Sequence, residues 1–119
     1  MIKRASELVG QVREGIRGGA GKAIAVDYLV NGEMDGIFAA SRIVLEPGAT
    51  IGEHVHADTE ELYLILEGRG AGILDGERFP VGPGDAFLLK AGHSHGLVND
   101  SDGPLSFFAV LTRQDAKHP

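Results

Sequence analysis

The sequence predicts an all-β domain in which about nine short strands close into a barrel or pack as two sheets, with a basic arm in front. Two observations carry this. First, 18 glycines and 5 prolines fall among 119 residues without a period of three, and they separate short apolar runs like punctuation. Second, turn-forming pairs stand at the ends of those runs: Asn31-Gly32, Pro47-Gly48 and Asp75-Gly76. Hydrophobic residues at 43% and charged residues at 24% are globular values, so a disordered chain is excluded.

In chain order, residues 6–16 have the makings of a weak helix only, because Gly10 and Gly15 each cost it about 1 kcal/mol. Gly18-Gly19-Ala20-Gly21 is expected to be a flexible loop. Strands are expected over residues 23–30, 37–45, 50–56, 61–67, 69–74, 77–81, 86–89, 95–99 and 105–112. Asp75-Gly76 is the strongest hairpin signal, and Gly82-Pro83-Gly84-Asp85 is a further turn. The domain division is an arm over residues 1–22 and one barrel over 23–119. The arm holds Lys3, Arg4, Arg13, Arg17 and Lys22 against Glu7 and Glu14, a net +3. The total is −6, which leaves −9 for the body, so the arm is expected to lie on an acidic surface, its own or a neighbour's.

Other features narrow the function classes. There is no cysteine, which excludes disulfides, thiolate metal sites, iron–sulfur clusters and a Cys nucleophile. A net charge of −6 argues against a nucleic-acid partner. No apolar run approaches the ~20 residues of a membrane helix, and residues 1–7 lack the apolar stretch of a signal peptide, so a cytoplasmic location is expected. The run Leu62-Tyr63-Leu64-Ile65-Leu66 is apolar on both faces of a strand. One face belongs in the barrel core; a second copy of the chain is the simplest cover for the other, and a homodimer is expected.

The chemistry lies in the histidines. His54 and His56 are two apart, which places both imidazoles on one face of a strand. Glu61 follows across a short turn and can return a carboxylate oxygen, and His95 can close the set from an opposing strand. Three neutral imidazoles and one carboxylate leave a divalent ion with a net charge near +1. Such nitrogen and oxygen donors suit Mn, Fe, Ni, Cu or Zn.

The stretch from Gly48 to Gly68 reads G-x5-H-x-H-x4-E-x6-G and resembles the first cupin motif at every fixed position. The stretch from Gly84 to Asn99 is similar to the second, G-x5-P-x-G-x2-H-x3-N, except that Lys90 stands where the family usually has Pro. Fifteen residues separate Gly68 from Gly84, a spacing common in small microbial cupins. The resemblance implies a double-stranded β-helix, a small jelly-roll barrel, with one metal inside. It makes His54, His56, Glu61 and His95 the ligands, and its register selects Glu61 over Glu60 and His95 over His93. Lys90 then bears on the rigidity of a turn, and His93 is left beside the site or exposed. Asn99 is expected to hydrogen-bond a loop.

A metal with open positions can hold a small carboxylate through two oxygens, as in an oxygenase, decarboxylase, isomerase or lyase. The alternative is a protein that binds metal and ligand without turnover. Glu61 sets the inward parity of its strand, so Tyr63, Ile65 and Glu67 are expected to face inward too. Tyr63 is the nearest candidate proton donor, or else a core aromatic whose hydroxyl is tied to a neighbour. Ile65 is a candidate wall for the ligand. Arg42 either faces inward against Asp27, Glu67 or a substrate carboxylate, or faces out and snorkels.

Overall fold

The computed structural model describes residues 1–113. It contains ten strands: β1 (Gln11–Glu14), β2 (Lys22–Leu29), β3 (Ile37–Leu45), β4 (Thr50–Val55), β5 (Glu61–Glu67), β6 (Gly70–Leu74), β7 (Glu77–Val81), β8 (Ala86–Leu89), β9 (Ser94–Val98) and β10 (Leu105–Thr112). They form two antiparallel sheets. One has the order β1-β2-β3-β10-β5-β8 and the other β4-β9-β6-β7. This is the expected jelly roll, with apolar side chains of both sheets meeting between them. Leu45, Ile65, Leu89, Leu97, Leu105 and Phe107 are the deepest of these, and Tyr63 and Phe87 pack beside them. Among the described residues no helix is long and apolar enough to cross a membrane.

Turn chemistry sets the strand ends. Asp75 and Gly76 both have positive φ, 48° and 80°, as a two-residue type I′ hairpin between β6 and β7 requires. Gly68 has φ 82°, and a Cβ there would overlap the carbonyl oxygen of Pro104.

Two expectations are corrected. Residues 6–16 do not form a helix. They run from the 3-10 turn Ala5–Glu7 through β1, which pairs with β2 in the register Val12 to Ile24, to the start of a second 3-10 turn at Ile16. The open edge of β2 supplies hydrogen-bond partners that a short, glycine-interrupted helix could not match. Glu67 does not face inward. Ser106 pairs with Glu67 and Phe107 with Ile65, so Leu66 is an extra residue in β5; this bulge breaks the alternation and leaves Glu67 exposed.

The basic arm does lie on acids of its own chain. Lys3 pairs with Glu33, and Arg13 lies 3.8 Å from Asp27. Arg17 belongs to a second 3-10 turn, Ile16–Gly18, which docks on the start of β4. There Ala20 N–H donates to Thr50 Oγ1 and Thr50 N–H to the Ala20 carbonyl, each at 2.8 Å.

Candidate metal centre

The floor of the site is β4, and its phase depends on one irregularity. Ile51 pairs with Leu97, but His54 pairs with His95, so β4 carries one more residue than β9 between these points. Ile51 is buried. Strict alternation from it would send residues 53 and 55 inward; the bulge turns His54 and His56 in instead and leaves Val55 64% exposed. Gly52 lies in the bulge, where a Cβ would overlap the Arg17 carbonyl oxygen.

His54, His56, Glu61 and His95 each bring a donor atom to one locus, all within 4.8 Å of one another. His54 Nε2 is 3.1 Å from His95 Nε2, His95 Nε2 is 3.1 Å from Glu61 Oε1, and His56 Nε2 is 3.6 Å from Glu61 Oε1. Neighbouring donors about 2.1 Å from one ion are about 3.0–3.4 Å apart, so this spacing fits a single transition ion. His56 Nε2 is buried and has no hydrogen-bond partner among the described residues. Such an orphan costs free energy unless something binds it, and an ion is what a bare imidazole nitrogen among three other donors accommodates.

The outer contacts aim the rings. His54 Nδ1 lies 2.6 Å from the Gly52 carbonyl, which can only accept, so Nδ1 carries the proton and Nε2 presents its lone pair to the cluster. His56 Nδ1 is 2.8 Å from Thr59 Oγ1. Burial holds the pKa of both rings below the ordinary histidine value, which favours the neutral, ligating form.

Tyr63 is 4% exposed and stacks on His95, with centroids 4.5 Å apart and planes at 29°. Its hydroxyl is hydrogen-bonded to Glu61; burial first, and then the charge of Glu61 and that bond, push its pKa well above 10. Ile65 lies two residues on, along the same inward face, packed with Tyr63 and Phe107. Arg42 is not brought to the cluster. It is exposed on the outer face of the large sheet, opposite Val26 and Phe108, and its Nε donates to Tyr28 Oη at 3.3 Å. Asp27, one of its candidate partners, accepts instead from Ser41 Oγ at 2.7 Å. Two neighbours of the ligands have other partners. His93 is exposed and pairs with Asp75 at 2.7 Å, and Lys90 reaches Glu60 Oε2 at 2.7 Å. Asn99 is fully buried and donates to the carbonyls of Leu45 and Gly103, the loop role expected of it.

One residue near the site escaped sequence reasoning. A cavity of about 270 Å3 opens beside His56, lined by Arg17, Phe38, His56, Thr59, Leu111 and Thr112. Arg17 sits there in the left-handed region, φ 53° and ψ 37°, which costs a non-glycine residue about 1 kcal/mol or more. Its charge lowers the pKa of His54, His56 and Tyr63 alike. Gly15, Gly18 and Gly21, with φ of 60°, 77° and 74°, are the signal in the sequence for a left-handed turn around it.

A jelly roll with two histidines and a glutamate ahead of a third histidine on the opposing strand defines a class, and the chain belongs to it: the family model of the cupin domain matches residues 41–111. Over 114 residues the chain is 32% identical to the oxalate-binding protein of Thermotoga maritima, with 93% of each chain covered. A crystal structure from the same organism, described as a predicted oxalate decarboxylase, superposes with a TM-score of 0.89 at 31% identity, covering 94% of this chain and 98% of that one. A sugar phosphate isomerase of the cupin superfamily from Silicibacter pomeroyi gives a TM-score of 0.70 at 28% identity, covering 88% of this chain and 69% of that one.

Proposed function

We propose that this protein holds one divalent transition metal on His54, His56, Glu61 and His95 and uses it to bind a small carboxylate that chelates through two oxygens. The observation that carries the reading is the convergence of four donors, one of them a buried and otherwise unpartnered imidazole nitrogen. The similarity to an oxalate-binding protein over nearly the whole chain supports the choice of ligand class. When bound, the metal supplies a Lewis acid and a template for the ligand's oxygens. The chain's own residues do the rest. His54 and His56 stay neutral because they are buried. The Tyr63 hydroxyl, buried beside Glu61, stays protonated. Binding of the carboxylate is the function that the four converging donors support, and turnover of the bound ligand is the alternative.

Calorimetry on metal-loaded and metal-free protein is the test. Oxalate should bind the loaded form alone. Failure of a panel of small carboxylates, with binding of neutral sugars instead, overturns the reading. Carbon dioxide release or oxygen uptake on adding oxalate would restore the enzymatic alternative.

We infer also that the chain is a homodimer. The outer face of the large sheet carries Leu62, Leu64, Leu88, Phe108 and Val110 in adjacent register positions on β10, β5 and β8, with Leu88 about half exposed, and Arg42 on β3 separates them from Ile24 and Val26. A contiguous apolar face of this kind is rarely left to water.

A further inference from the structure

We propose that Arg17 is the anion-recognition residue of this site: its guanidinium meets the carboxylate of the metal-chelated ligand at the cavity mouth and selects dianionic chelators over monoanionic ones. The inference rests on the metal-and-carboxylate reading above and adds the residue and the charge class. It stands on three observations.

The first is placement. Arg17 and His56 line the same cavity, so a ligand that reaches His56 from this side passes Arg17. The second is that the position is built. Gly18 N–H donates to the Gly15 carbonyl at 3.0 Å and Gly19 N–H to the Ile16 carbonyl at 2.9 Å, which close the turn. Its backbone then packs so closely on β4 that Gly52 has no room for a side chain. The arm thus holds a left-handed arginine against the strand that carries two ligands, a conformation it would leave if nothing held it there. The third is that the charge is free. Among the described residues no carboxylate forms an ion pair with Arg17, whereas Lys3, Arg13, Lys22 and Lys90 all have one.

Charge balance gives the specificity. A divalent ion with three neutral imidazoles and one carboxylate carries +1. A monoanionic chelator neutralises it. A dianion such as oxalate leaves the complex at −1 in a site bordered by Phe38 and Leu111, and one more cation is needed. Arg17 supplies it, and a planar guanidinium suits the outer oxygens of a bidentate dicarboxylate.

The test uses the full chain loaded with Mn2+, titrated calorimetrically with oxalate and with glycolate, a monoanion of similar bite. Wild type is compared with Arg17→Gln, Arg17→Lys and Arg17→Gly. Arg17→Gln and Arg17→Gly should weaken oxalate about ten- to hundred-fold and glycolate less than threefold, with Mn2+ stoichiometry unchanged. Arg17→Lys should keep most of the oxalate affinity. Arg17→Gly relieves the left-handed backbone, so it should melt no lower than wild type, which separates loss of the charge from loss of the fold. Equal losses for both anions, or no loss, with wild type still binding oxalate, overturns the role of Arg17 alone. Wild type that takes up Mn2+ but neither anion overturns the carboxylate reading and this inference together.

Discussion

Replacing Tyr63 by Phe separates two roles that the site allows for this residue. The change removes one oxygen atom from a side chain that is 4% exposed and packed against His95, Phe87 and Phe107. The ring contacts survive, so the cost falls on the bond from the hydroxyl to Glu61. A hydrogen bond to a charged acceptor contributes about 1.5–3 kcal/mol. Glu61 is only 12% exposed at its side chain, so water replaces the lost donor poorly. Losing the group that orients a ligand typically weakens a metal about 10–100-fold, in line with that energy. Competition against a chromophoric chelator should therefore show a Tyr63→Phe protein that still binds one ion per chain, but more weakly by that factor. The melting temperature of the metal-free form should move by a few degrees at most. Metal affinity unchanged within about twofold, together with loss of any turnover, refutes the positioning role and makes Tyr63 a proton donor.

Other outcomes follow from the same geometry. His54→Ala and His95→Ala should each abolish stoichiometric metal by elemental analysis, and Glu61→Gln should cost far more affinity than Glu60→Gln, whose carboxylate is bound to Lys90 instead. The metal-free protein should lose stability in acid. Burial lowers the folded-state pKa of His54 and His56 below the ordinary value near 6.5, so the unfolded chain binds more protons in that window; the stability present above pH ~6.5 drains away as pH falls through the lowered values, which urea titrations at pH 7.5 and 5.5 will register. Gly52→Ala should cost about 1–3 kcal/mol by overpacking, because its new methyl overlaps Arg17 and sits 2.9 Å from Gly19 N, and it should make the arm more susceptible to proteolysis. Leu64→Asp, which places a charge on the outer sheet face opposite Phe108, should give a monomer by sedimentation at micromolar concentration if that face is the contact.

Much of this was legible in the chain because its strands are bounded by residues with strong local preferences. Residues 37–45, 61–67, 77–81, 86–89 and 105–112 are strands at the expected limits, each closed by a nearby glycine, proline or ladder end. The convergence of His54, His56, Glu61 and His95 was legible for another reason: the His-x-His pair has strand period, and the spacing of the resembled motif selects Glu61 over Glu60. What escaped lacks a periodic signature. β1 is exposed along its whole length, so no alternation of burial marks it, and only the edge of β2 makes it a strand. The bulge at Leu66 that turns Glu67 away arises from pairing with β10, forty residues along the chain. Arg17 is set by a docked turn whose left-handed backbone nothing in the residue's own chemistry requires. For Arg42 the sequence left two orientations open, and the pairing of β3 with β2 and β10 decided for the outward one.

The bulge in β4 bears on how the arm and the cluster are encoded. Ile51 and the two histidines share the inward face although they are three and five residues apart, because the strand holds one extra residue between them. Deleting residue 52 or 53 would leave Ile51 and His54 two apart, the regular strand spacing, so both imidazoles would still face inward; the deletion would remove the seat of the Arg17 turn instead. The extra residue therefore serves the arm, whose Arg17 carbonyl packs on Gly52, and the four ligands could be carried onto a barrel whose strand has no bulge. A single-codon deletion at position 52 or 53 is thus the shortest genetic route from this protein to a barrel that keeps its four ligand residues in place and loses the docking site of its arm.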